Sequence, residues 1–106
     1  MTDRQLASMT RFGRKVTFLT PDLEDDITGY VIGFDDENIR IAEVIVNSDG
    51  TSTVAVRLRN RRYVAGMNSE DKNSLVTEDA VKELEYMIAP FRTHVMRKYF
   101  PEDLSA

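Results

Sequence analysis

Apolar and polar residues alternate in several short runs between Lys15 and Val64. A period of two is typical of β-strands, because successive side chains of a strand point to opposite faces of the sheet. Turn residues, and no helical sequence, separate the runs, which favours antiparallel pairing. The predicted strands cover residues 15–19, 27–34, 39–46, 53–58 and 63–65.

Two glycines lie inside the second predicted strand. Gly29 and Gly33 fall on one face of it, and Tyr30, Ile32 and Phe34 share the other. Glycine within a strand indicates sharp bending or close approach of another backbone segment. A sheet of few strands must bend in this way to close into a barrel. We therefore predict a mainly β fold, a five-stranded antiparallel small barrel over residues 12–67.

Helical patterns are confined to the two ends of the chain. Residues 3–10 are compatible with a short helix that carries Leu6 and Met9 on one side. Pro90 predicts a kink in the C-terminal helix, or its division into helices at 77–89 and 90–99. That long amphipathic helix is predicted from apolar residues three and four positions apart, which are Val81, Leu84, Ile88, Phe91, Val95 and Tyr99.

The whole chain of 106 residues is of a size for one domain. Within residues 1–106 we predict the barrel at 12–67, a polar linker at 68–76 and a helical extension at 77–100.

Composition bears on where such a domain works. The chain contains no cysteine, which excludes disulfides and a cysteine nucleophile and fits a reducing compartment. No stretch is apolar enough for a signal peptide or a membrane span, so we expect a cytoplasmic protein without membrane contact. The net charge of −4 argues against a general polyanion binder, although four arginines lie within six residues at Arg57, Arg59, Arg61 and Arg62.

Two segments of the predicted barrel are similar to sequence motifs of the Sm, Sm-like and Hfq family. The segment GYVIGFDDENIRIAE, residues 29–43, resembles the first motif, and the matching residues are Gly29, Phe34, Asp35, Ile39, Ile41 and Glu43. The segment VRLRNRRYV, residues 56–64, is similar in spacing to the second motif and matches it at Arg57, Asn60 and Val64. Leu58 replaces the motif glycine, and Asp36 or Glu37 stands where family members place an aromatic residue or histidine that stacks on a base.

The resemblance implies a fold and a function. It implies an Sm-like, SH3-like small barrel that forms a homo-oligomeric ring and acts on single-stranded RNA, as an RNA-binding or RNA-chaperone-like protein. Asp35 and Asn38 would read a base edge, Arg57 would hold a base or phosphate, and the other arginines would follow the RNA backbone. The expected RNA-binding residues are Asp35, Asn38, Arg57, Arg59, Asn60, Arg61 and Arg62.

The same residues allow other interpretations. The arginines could form a solvated turn or pair with acidic residues of a neighbouring subunit, and Asp35 and Asn38 could serve turn chemistry alone. The alternative function is a non-enzymatic interaction or structural barrel whose arginine cluster and C-terminal helix bind protein partners. A Tudor-like reader would need an aromatic cage, and the sequence shows only scattered Tyr30, Tyr63 and Phe34.

No residue pattern points to catalysis or to a bound metal. The sequence contains no nucleophile elbow, phosphate-binding glycine loop or zinc-binding helix motif. His94 is the only histidine and has no carboxylate or cysteine at ligand spacing. The acidic residues at 25–26 and 35–37 lack the pattern of a calcium loop. We expect no enzymatic activity, no cofactor and no metal.

Overall fold

Two helices and five strands make up the computed structural model, which describes residues 2–12, 14–23, 25–70 and 78–103. The elements in chain order are α1 (Asp3–Phe12), β1 (Lys15–Leu19), β2 (Ile27–Phe34), β3 (Asn38–Val46), β4 (Ser52–Asn60), a 3-10 turn (Arg61–Tyr63), β5 (Gly66–Glu70), α2 (Glu78–Tyr99) and a second 3-10 turn (Pro101–Asp103). The predicted N-terminal helix, C-terminal helix and five antiparallel strands are confirmed.

The strands form one antiparallel sheet in the order β4-β3-β2-β1-β5. Its edges are β4 and β5, which within the described residues pair only with β3 and β1 respectively. The sheet is therefore open along these edges, and within the described residues it does not close into the barrel that the sequence predicts. Because the 22-residue helix α2 and the shorter α1 both pack on it, the fold is mixed α/β rather than mainly β as the sequence predicts.

The fifth strand is displaced from its predicted position at residues 63–65. The chain forms a 3-10 turn there, in which the side chain of Asn60 accepts a hydrogen bond from the backbone N–H of Arg62. Strand β5 then pairs with β1 from Gly66, opposite Leu19, to Glu70, opposite Lys15. Residues 68–70 thus belong to the sheet and not to a linker, and the rest of the predicted linker lies outside the described residues.

The main core lies on the face of the sheet that α1 covers. Leu6 of α1 is fully buried there against alternate residues of the strands, which are Val16, Phe18, Ile27, Val31, Ile39 and Ile41. The alternation that predicts strands therefore also identifies the core side of β1 and β3, and the predicted inward orientation of Ile39 and Ile41 is confirmed. In β2 both faces are apolar, and the main core takes the face of Ile27 and Val31.

The first half of α2 covers the opposite face of the sheet. Leu84 and Ile88 are buried there together with Ala42 of β3. Partly buried residues complete this second cluster, namely Tyr30, Ile32, Val44, Val54 and Met87. Both faces of the β2–β3 region are thereby covered, one by α1 and one by α2.

The second half of α2 packs against α1. Phe100, directly after α2, is buried in one cluster with Ala7 and Val95. Its ring lies 4.9 Å from the guanidinium of Arg4 and 4.7 Å from that of Arg11, both on α1. These contacts attach the end of α2 to α1 through apolar and cation–π interactions.

Pro90 does not divide α2, which is a single helix from Glu78 to Tyr99. A proline in a helix leaves the carbonyl four residues earlier, here Tyr86, without its helical hydrogen bond. Pro90 and Tyr86 are both exposed, so water can satisfy this carbonyl, while the buried Ile88 keeps the helix packed on the sheet. The predicted division into two helices is therefore wrong.

Candidate nucleic-acid interface

The turn between β2 and β3 is organised by Asp35. Its carboxylate accepts hydrogen bonds from the backbone N–H groups of Glu37 and Asn38, each at 2.8 Å. The bonds from Asn38 and then Glu37, with the nearby Arg61 charge, hold the pKa of Asp35 below its usual value, because they favour the charged form. Asp35 therefore accepts hydrogen bonds within its own turn, which is the alternative role given above for this residue. Its side chain is still exposed to solvent.

The turn after β4 lies directly beside the β2–β3 turn. The backbone N–H of Arg61 donates to the carbonyl of Glu37 at 2.7 Å. Asn38 and Asn60 are opposite each other in the β3–β4 register. Four of the seven predicted RNA-binding residues are thus brought together at one end of the sheet, namely Asp35, Asn38, Asn60 and Arg61.

Arg61 points into the protein rather than into solvent. Its side chain is only 15% exposed, and Nη1 donates to Asp3 Oδ1 at 2.6 Å and to the carbonyl of Asp35 at 2.8 Å. The guanidinium carbon also lies 5.9 Å from the centre of the Phe34 ring. Arg61 therefore connects α1 to both turns and holds the turns in place.

Arg62, in contrast, is exposed. Its Nη2 donates to the hydroxyl of Tyr63 at 3.0 Å, and its guanidinium lies 5.0 Å from the centre of that ring. An arginine supported by a tyrosine at the surface presents a cation whose orientation is partly fixed. Arg62 is thus an exposed positive charge two residues after Asn60, beside the turn.

Arg57 and Arg59 lie on β4, and their side chains face a pocket that does not include the residues of the turn. Together with Asp25, Asp26 and Glu43 they line a shallow pocket of about 300 Å³. Arg57 Nη2 lies 3.8 Å from Glu43 Oε1, and Arg59 Nη1 donates to the carbonyl of Leu58 at 3.2 Å. Carboxylates face these two arginines, so this pocket carries mixed charge and is distinct from the end where the other predicted residues meet.

Replacing Arg61 with alanine is expected to lower the free energy of unfolding by about 2 kcal/mol. The change removes the charge-assisted hydrogen bonds that the largely buried guanidinium donates, and it leaves Asp3 without its arginine partner. Arg62→Ala, the matched control, removes an exposed arginine and should change the free energy by less than about 0.5 kcal/mol. Urea denaturation followed by circular dichroism measures both, and equal effects would contradict the structural role of Arg61.

A second cleft, which the sequence pattern does not reveal, lies between the β2–β3 turn and the second half of α2. It brings Phe34 together with Phe91 and Tyr99. Helical periodicity places Phe91 and Tyr99 on one side of α2, but it carries no signal that this side meets the end of β2. In the described part of the chain, the cleft included, no group of three or more acidic, histidine or cysteine side chains is arranged to hold a metal ion.

Fold and site together define a small α/β protein with an open antiparallel sheet, two helices and a candidate interface at two adjoining turns. Among the helices described, none has the length and apolar character needed to cross a membrane. Comparison with family models, with curated proteins and with solved structures found no match to the chain.

Proposed function

We propose that this protein is an Sm-like module that assembles into a homo-oligomeric ring and binds single-stranded RNA. The observation that carries the proposal is the direct contact between the β2–β3 turn and the turn after β4, through the Arg61–Glu37 hydrogen bond. This contact gathers a carboxylate, two amides and an exposed arginine, at Asp35, Asn38, Asn60 and Arg62. Such groups can bond to base edges and to phosphate.

The open edges of the sheet support self-assembly. Strand β4 is nine residues long and exposes Val56 and Leu58, which are 47% and 56% accessible. An edge strand with unpaired backbone groups and apolar side chains favours pairing with another strand. Strand β5 is the other edge of the same sheet, so β4 of one copy and β5 of the next would form a repeating head-to-tail contact, which gives a ring when the rotation between successive copies closes.

The roles of the arginines differ under this proposal. Arg61 positions the two turns, since its side chain is already bonded to Asp3 and Asp35. Arg62 contacts RNA phosphate, because it is the exposed member of the pair. A single site with one accessible arginine would bind RNA weakly. Several sites in a ring would strengthen binding, because they raise the effective concentration of the RNA strand at each site.

Two measurements test the proposal. Light scattering after gel filtration at tens of micromolar protein should give the mass of an oligomer. Fluorescence anisotropy with labelled RNA oligonucleotides should show affinity that falls steeply with salt, because each neutralised phosphate releases counterions. A monomer that ignores uridine-rich and adenine-rich oligonucleotides at ~50 mM salt, where phosphate contacts are strongest, would overturn the proposal.

Arg62→Ala should then reduce the slope of log affinity against log salt by about 0.7 for each phosphate contact removed. Arg97, an exposed arginine of α2 outside the candidate interface, provides the matched control for the loss of one charge. Arg97→Ala should leave the slope unchanged. Equal reductions in both variants would show that net charge, and not the turn, determines binding.

The second candidate function is an interaction barrel in which the arginines meet carboxylates rather than RNA. The specific observation in its favour is that two of the four clustered arginines already have acidic partners, since Arg57 lies near Glu43 and Arg61 near Asp3. The C-terminal helix would then supply the surface for a protein partner, with Tyr86 83% exposed on it. In this case Arg62→Ala should reduce the mass of the assembly, and the parent protein should show no affinity for RNA.

A further inference from the structure

A cleft of about 250 Å³ lies beside the β2–β3 turn, where the second half of α2 passes the end of β2. Its lining combines aromatic rings, carboxylates and an ammonium group. The cleft is smaller than the roughly 300–1,000 Å³ of pockets for drug-sized ligands. It therefore suits a single planar ring system with a small charged attachment.

The aromatic wall is built by residues far apart in the chain. The ring of Phe34 has its centre 5.3 Å from that of Phe91, at an interplanar angle of 86°, and 6.0 Å from that of Tyr99. His94, which is exposed, stacks on Phe91 with ring centres 6.1 Å apart and planes 28° from parallel. Phe34, Phe91 and Tyr99 are each half-buried, so part of every ring faces the cleft. Because the three rings are not coplanar, a flat ligand would stack on one of them and contact the others at an angle.

The three carboxylates of the cleft are not equivalent. Asp3 is bonded to Arg61, and Asp35 accepts the backbone N–H groups of its own turn. Asp36 is exposed, and none of the described residues forms a hydrogen bond or ion pair with its carboxylate. Asp36 is therefore the carboxylate with the most capacity to accept a hydrogen bond from a ligand.

A cation lies at the other side of the same cleft. Lys98 is exposed, and its Nζ is 5.4 Å from the centre of the Tyr99 ring. The lining thus offers an apolar wall of aromatic rings, one accessible hydrogen-bond acceptor and one accessible positive charge. A nucleotide has the complementary parts, namely a flat base, base N–H groups and a phosphate.

We propose that this cleft binds one nucleotide of an RNA strand and prefers a base with an amino group at purine C6 or pyrimidine C4, adenine or cytosine, over uracil. The base packs on the aromatic wall, its amino group donates to Asp36, and its phosphate lies near Lys98. A carboxylate accepts from an amino group but repels a carbonyl oxygen, which uracil presents at the corresponding position. This inference rests on the proposed RNA function and names the bases that the protein selects.

The α2 helix thereby supplies the aromatic surface that the β2–β3 turn lacks. Asp36 and Glu37 stand in the turn itself, where a carboxylate cannot stack on a base. The rings of Phe91 and Tyr99 lie next to that turn because α2 folds back across the end of β2. A base leaving the turn would thus meet an aromatic wall built from α2.

Titration of the full chain with AMP, CMP and UMP, followed by protein NMR, tests the inference. AMP and CMP should shift the signals of Tyr99 and His94, with UMP about tenfold weaker, the factor expected for one charge-assisted hydrogen bond. Asp36→Asn should remove the difference between CMP and UMP. Lys98→Gln should weaken all three nucleotides by a similar factor.

Two matched variants control for charge. Asp22 is an exposed carboxylate in the β1–β2 connection, and Lys82 is an exposed lysine in the first half of α2. Asp22→Asn and Lys82→Gln change the net charge as the test variants do, and they should leave nucleotide binding unchanged.

The outcomes separate the inference from the function on which it rests. Equal affinity for the three nucleotides, or shifts confined to residues outside the cleft, would overturn the inference. Salt-dependent binding of RNA oligonucleotides in that same case would leave the proposed function standing. Absence of binding to the nucleotides and to the oligonucleotides at ~50 mM salt would overturn both.

Discussion

Gly29→Ala should destabilise the protein by about 3 kcal/mol, at the upper end of what extra volume in a packed core costs. A Cβ atom at Gly29 would lie 2.3 Å from the carbonyl oxygen of Ala42 and 2.7 Å from Cγ2 of Ile41. The first contact is with backbone of the neighbouring strand, which cannot move without separating β2 from β3. The absence of a side chain at Gly29 therefore allows β2 and β3 to pair closely.

Gly33→Ala is the matched control in the same strand. A Cβ at Gly33 would meet only the flexible side chain of Arg40, with the nearest atom at 3.5 Å, an ordinary contact distance. The variant should therefore change the free energy of unfolding by less than about 1 kcal/mol, the usual cost or gain of a glycine substitution without a clash. Chemical denaturation measures both variants, and similar losses would contradict the close approach at Gly29.

Removal of α2 by ending the chain after residue 73 should make the protein insoluble or change the size of its assembly. The first half of α2 covers an apolar face that would otherwise be exposed, consisting of Tyr30, Ile32, Ala42, Val44 and Val54. The second half covers Ala7 of α1. Contiguous apolar surface of this kind promotes association. A soluble truncated chain with the assembly size of the parent would contradict the prediction.

A point substitution separates the packing of α2 from the loss of chain length. Ile88 is 3% exposed and lies in the cluster with Ala42, so Ile88→Ala should cost about 3 kcal/mol. Glu83, an exposed residue of the same helix, is the control, and Glu83→Ala should stay within about 0.5 kcal/mol. Thermal or urea denaturation of the two variants gives the comparison.

Only some of the predicted RNA-binding residues lie together in the structure. The two motif-like segments do adjoin, because Arg61 bonds to Glu37 and Asn38 lies opposite Asn60. The arginine cluster does not act as one surface, however. Arg61 turns inward to Asp3, while Arg57 and Arg59 face a pocket of mixed charge. Sequence proximity alone could not predict that these arginines have different environments, because the partners of their side chains come from other elements.

Local periodicity was sufficient for the first four strands, for the core side of β1 and β3, and for the two helices. Val16 and Phe18, or Ile39 and Ile41, alternate with polar residues, and strand geometry alone places such residues on one face. Pro90 shows where local rules are insufficient, because they allow either a kink or a division there, and α2 is continuous through this residue. Likewise, the 3-10 turn at Arg61–Tyr63 moved β5 away from its predicted position.

Only the tertiary structure decided which distant residues meet. Asp3 and Arg61 are 58 positions apart, and their ion pair depends on the packing of α1 near both turns. The aromatic wall of Phe34, Phe91 and Tyr99 depends on the path of α2 across the end of β2. A repeating pattern of apolar residues reports the geometry of one element and which side of it is buried. It does not report which element covers that side, because that choice is made by packing between segments far apart in the chain.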